Sequence, residues 1–150
     1  MRHTKHAAAA SDIVARCASP AAAPLIEVPH SRLRGNAVRD ALTAAGWHAA
    51  TLDEAGPISD KPALLGAVNA ALRAPGYAGA NWDALLDSLS DLEWLDGAAC
   101  AAGVALIWRR PAALKSADPA SYATFLEVLA EADERLKARG ARPLRVVATS

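Results

Sequence analysis

The run Val104-Ala105-Leu106-Ile107-Trp108 limits the fold of this chain more than any other segment. Five consecutive apolar residues stand between Gly103 and Arg109-Arg110-Pro111, with nothing polar to face water on either side. A strand of that kind is buried on both faces, the condition of a parallel sheet with helices above and below it. Parallel neighbours in turn need long crossovers, usually helical, so the rest of the chain should alternate strand with helix.

It does. Leu25-Ile26-Glu27-Val28 is a short apolar run stopped by Pro29 and predicts a strand. Gly35-Asn36 opens a helical pattern with Val38, Ala41, Leu42 and Ala45 on one face and Gly46 as its stop. Trp47 to Leu52 predicts a second strand. Ser59-Asp60-Lys61-Pro62 is a helix start: a polar cap, then a proline in the first turn, where its missing N–H costs nothing. Leu64, Leu65, Val68 and Leu72 line that helix until Ala74-Pro75-Gly76. Asn81 caps the next helix, predicted from Trp82 to about Leu92. Asp118-Pro119 opens a last long helix, lined by Tyr122, Phe125, Leu126, Leu129 and Leu136 and stopped by Gly140. Leu144 to Ala148 closes the pattern as a strand. The expected fold class is α/β: a small, mostly parallel sheet flanked by helices, with right-handed crossovers.

Residues 1–23, rich in Ala and Ser and followed by Pro24, read as a flexible leader, and 24–150 as a single domain. The opening Met1-Arg2-His3-Thr4-Lys5-His6 and four alanines do not make a signal peptide, because Ser11-Asp12 ends the apolar run too soon. No stretch approaches the ~20 apolar residues of a membrane span. Cys17 and Cys100 match no zinc or Cys-x-x-Cys spacing, which favours reduced thiols and a cytoplasmic protein with no metal and no cofactor.

Phosphate-binding glycine loops, a nucleophile elbow and a His-Glu-x-x-His helix are all missing, and His30 and His48 stand alone beside predicted strands. A binding protein is expected, not an enzyme. Sixteen bases against sixteen acids leave no overall excess for a nucleic-acid surface. The balance is a cancellation, however. Between Arg73 and Arg109 stand Asp83, Asp87, Asp91, Glu93 and Asp96 with no Lys, Arg or His. On the helix after Asn81, Trp82, Leu85, Leu86, Leu89 and Leu92 form an apolar arc, while Asp83, Asp87 and Asp91 recur every fourth residue on the outward side. Like charges at that spacing cost a helix roughly 0.2–0.5 kcal/mol per pair. A local rule broken without local compensation points to a functional surface. A carboxylate Mg²⁺ site on these aspartates is the lesser alternative, since side chains along one exposed helix seldom converge on a single ion.

The segment Pro75-Gly76-Tyr77-Ala78-Gly79-Ala80-Asn81-Trp82-Asp83-Ala84-Leu85-Leu86-Asp87-Ser88-Leu89 resembles the signature of the barstar family, intracellular inhibitors of barnase-like secreted ribonucleases. The resemblance covers about residues 47–150, and the strand and helix over 25–46 look like the additional N-terminal unit of a broader barstar-related group. Leu86 stands where a well-known member has tryptophan, Ala78 where it has tyrosine and Ala80 where it has an acid.

The resemblance implies a protein, monomeric when free, whose acidic helix and preceding loop occlude the active site of a barnase-like ribonuclease, with no nucleic acid or membrane bound directly. It implies Tyr77 and Asn81 as loop contacts, Asp83 and Asp87 as the principal acidic contacts, and Ser90 and Asp91 as contacts at the helix end. A further acid from the last helix is implied, with Glu131 and Asp133 both open as its identity. The alternative function is an immunity or regulatory module of the same fold that binds a different basic-cleft protein.

Overall fold

The computed structural model describes residues 2–73, 81–92 and 101–149, and of residues 2–9 the backbone alone. In chain order the elements begin with α1 (Arg2–Ala18), β1 (Leu25–Val28), a single 3-10 turn over His30–Leu33, α2 (Ala37–Ala44) and β2 (Trp47–Thr51). There follow α3 (Lys61–Ala71), α4 (Trp82–Ser90), β3 (Gly103–Trp108), α5 (Pro111–Ala117), α6 (Pro119–Ala138) and β4 (Leu144–Thr149). The strands form one sheet in the order β1-β4-β3-β2, and all three pairings are parallel.

The apolar run is β3, buried at every position and paired on both sides, with Trp47 opposite Gly103 and Val104 opposite Leu144. Its pleat sends Val104, Leu106 and Trp108 into one core and Ala105 and Ile107 into another. From β1 to β2 the chain crosses the whole sheet in one direction, then steps back through β3 to β4. Crossovers of one hand therefore place α2 on one face and α3 to α6 on the other. The first core holds Leu64, Leu85, Leu89, Phe125 and Leu129; the second holds Ile13, Cys17, Leu42 and Trp47.

Gly103 shows why the register tolerates no side chain at the start of β3. Its φ is +142°, and a Cβ there would meet the Pro143 carbonyl oxygen at 2.6 Å and Trp47 at 2.8 Å. At the other end, the buried Asp53 carboxylate accepts the backbone N–H of Arg109 at 3.0 Å and of Arg110 at 2.7 Å, fastening the segment after β2 to the end of β3.

Within residues 1–23, Arg2–Ala18 is a helix with Ala10, Ile13 and Cys17 buried in the second core. Alanine is the best helix former, and these three residues recur at steps of three and four, so a weakly apolar stripe suffices to seat the helix. Burial pushes the Cys17 thiol up to about 11, with Arg145 and Arg16 opposing the rise. That makes it a packing residue rather than a nucleophile.

One side chain joins the two layers. Arg145 on β4 is 2% exposed. Its Nε donates to the Cys17 carbonyl at 3.1 Å and its Nη2 to that of Ser19 at 3.4 Å, both at the end of α1. Its Nη1 donates to Asp133 of α6 at 3.2 Å and to the Leu144 carbonyl at 2.9 Å. Elsewhere α4 is two residues shorter than expected, and α5 fills a segment where no helix is expected. Asp118 then ends α5 and caps α6, taking the Ser121 N–H at 3.2 Å and its hydroxyl at 2.7 Å. These bonds lower its pKa below the usual carboxylate range.

Candidate functional site: the acidic face of α4

The start of α4 is set by Asn81. Its backbone is extended, and its Oδ1 accepts the Ala84 N–H at 2.8 Å, satisfying one of the free donors of the first turn. Replacing Asn81 with alanine is expected to lower folding stability by about 1 kcal/mol, read as a shift in the urea midpoint with unchanged slope.

Inward, Leu85 and Leu89 are fully buried, and Trp82 and Leu86 pack partly buried against the same core. Lys61 Nζ lies 5.4 Å from the Trp82 ring centroid, a cation–π contact between the first turns of α3 and α4. Outward, Asp83, Asp87 and Asp91 are all exposed. Asp83, in the first turn, gains from the helix dipole. Asp91 is the C-cap, with φ −136° and ψ 99°, so the regular spacing of the stripe ends before it.

Ser90 does not share this face. It is 7% exposed, and its hydroxyl donates to the Leu86 carbonyl at 2.6 Å. Being four residues after Leu86, it follows the inward stripe. Tyr77 lies outside the described residues.

Helix α6 packs beside α4 and distinguishes the two acids left open on it. Asp133 is 5% exposed, bonded to Arg145 and paired with Lys137 at 2.9 Å, and so belongs to the interior network. Glu131 is exposed and lies next to Asp87 through a shared cation. Arg135 Nη2 is 3.1 Å from Glu131, and its Nη1 is 3.6 Å from Asp87. Three outward carboxylates, Asp83, Asp87 and Glu131, therefore share one surface with Arg135 set between the last two.

Two residues whose contribution the sequence does not announce shape the end of α3. His48 Nε2 on β2 lies 2.7 Å from the Ala71 carbonyl oxygen. A carbonyl only accepts, so this nitrogen carries the proton and closes the last turn of α3. Two residues on, Arg73 adopts φ +53°, the left-handed region that favours glycine, immediately before residue 74. Among the described residues no group of three or more His, Cys, Asp and Glu is placed to hold a metal ion, and no helix is long and apolar enough to cross a membrane.

A family model described as Barstar (barnase inhibitor) matches residues 37–148, from the first residue of α2 to the penultimate residue of β4. It thus begins ahead of residue 47, where the sequence resemblance starts, and leaves α1 and β1 outside. No curated protein and no solved structure matches the chain.

Proposed function

Because the chain belongs to the barstar family, we propose that it is an intracellular inhibitor that binds a barnase-like ribonuclease and occludes its active site with the face built on α4. The observation that carries this reading is the pair Asp83 and Asp87, one turn apart on the outward side of a helix fixed by its own cap and core. A ribonuclease cleft gathers cations to hold phosphates. Carboxylates at helical spacing offer those cations an alternative set of charge-assisted hydrogen bonds, bidentate where the cation is arginine. The protein so described binds and does not catalyse, and its place of action is the cytoplasm of the cell that makes the ribonuclease. Asn81 and Asp91 border the same surface and Glu131 extends it onto α6, while Tyr77 is proposed on the family pattern alone.

The test is inhibition. The purified chain, titrated into a barnase-like ribonuclease, is expected to abolish RNA cleavage at one-to-one stoichiometry. Association should slow as salt rises, because exposed charges are screened over about 8–10 Å at moderate ionic strength. Undiminished cleavage under a large excess of the chain overturns the proposal. In that event, recovery of another basic protein from the native cell supports the alternative target.

A further inference from the structure

The acidic face contains its own cation. Arg135 is 44% exposed at its side chain, and Asp87 and Glu131 are 80% and 55% exposed at theirs. One guanidinium nitrogen is directed at each carboxylate, at 3.6 Å and 3.1 Å. Glu131 and Arg135 are four apart on α6, acid first, the favourable order on a helix. The contact to Asp87 is different in kind: it crosses from α6 to α4. A planar fork serving two carboxylates on two elements is the arrangement an arginine of a partner would itself adopt on this surface.

We propose that Arg135 is an internal stand-in for the partner's cation, occupying Asp87 and Glu131 in the free protein and sharing or releasing them when an arginine-bearing cleft docks. This rests on the inhibitory reading above and adds to it a residue that limits affinity. Two consequences of opposite sign follow. In the free protein Arg135 relieves repulsion between Asp87 and Glu131, so its removal leaves the fold slightly less stable. In the complex it competes with the partner and opposes the approach of positive charge, so its removal strengthens binding. A merely structural arginine produces the first effect without the second, and an arginine that contacts a partner carboxylate produces the reverse of the second.

The experiment compares the full-length chain with Arg135→Gln and Arg135→Lys, using two probes: a barnase-like ribonuclease and a four-arginine peptide, the latter followed by NMR shifts along α4. Arg135→Gln is expected to bind the ribonuclease about two- to fivefold more tightly at low salt, the scale of one exposed ion pair. The gain should vanish near 1 M salt, where screening acts over about 3 Å. Arg135→Lys should stay within about twofold of the parent, because it keeps the charge. Weaker or unchanged ribonuclease binding by Arg135→Gln, in a protein whose parent does inhibit, overturns this inference and leaves the inhibitory function standing. If the parent does not bind the ribonuclease, that function fails, and the peptide decides here. Tighter peptide binding by Arg135→Gln supports the stand-in, and equal binding overturns it.

Discussion

Replacing Asp87 with alanine is expected to weaken the complex with a barnase-like ribonuclease by roughly 30- to 1,000-fold, while shifting folding stability by no more than about 0.5 kcal/mol. The two numbers diverge because Asp87 has almost no structural work in the free protein. Its side chain is 80% exposed, and among the described residues it is paired with Arg135 at 3.6 Å. A pair so exposed contributes little to stability, and removing the acid also relieves repulsion from Asp83 one turn earlier. In a complex the same carboxylate is at the centre of the face, between Asp83 on its own helix and Glu131 on the next. There it loses water, and the cations it would neutralise are left unpaired when it is cut back. The control is Glu27→Ala, also an exposed acid but on strand β1, away from α4. Calorimetric titration reads the binding and urea denaturation reads the stability. Equal losses of binding from both variants overturn the assignment of the surface.

The second large effect concerns the fold and leaves the face intact. Arg145→Met is expected to lower folding stability by about 3 kcal/mol or somewhat more, because breaking a buried pair leaves a charge without compensation. Asp133 would remain 7% exposed at its side chain, with Lys137 at 2.9 Å as its remaining ion pair. The Cys17 carbonyl would lose the guanidinium donor as well, and that of Ser19 would keep the Ala22 N–H at 3.0 Å. Lys137 moderates the loss, which places it at the lower end of the 3–5 kcal/mol typical of broken buried pairs. Per folded molecule, ribonuclease binding should be unchanged, since no atom of Arg145 reaches the α4 face. A shift under about 1 kcal/mol, measured by urea denaturation, overturns the role given to this guanidinium.

Local pattern made the sheet and the candidate surface legible. The apolar run of β3, the Asp60 and Asn81 caps and the outward placement of Asp83 and Asp87 each depend on residues within a turn or a strand of one another. What escaped was of two kinds. The helix α1 was obscured by its composition: about a quarter of the chain is alanine, and four in succession read as a bland tail rather than as a buried face. Arg145, Asp133 and Cys17 meet only in the folded state, 12 and 128 residues apart along the chain, so no window on the sequence contains them together. The distinction between Glu131 and Asp133 follows from the same network, because it is Arg145 that draws Asp133 inward. Ser90 is a different case. Its place three residues after Asp87 sets it alongside the outward stripe in the sequence, yet its hydroxyl turns back to the Leu86 carbonyl and the side chain is buried.

The strand order has a consequence for how such a chain comes to be folded at all. Strand β1 has a single neighbour, β4, and Leu25 finds Val146 across the ladder only after more than a hundred further residues have been made. During synthesis the first strand must wait unpaired, and α1 has no lock until Arg145 arrives. Closing so long a loop is entropically costly before any contact rewards it. The native sheet therefore cannot be complete until β4 lies between β3 and β1. Any protective role of the acidic face begins only once that insertion is complete.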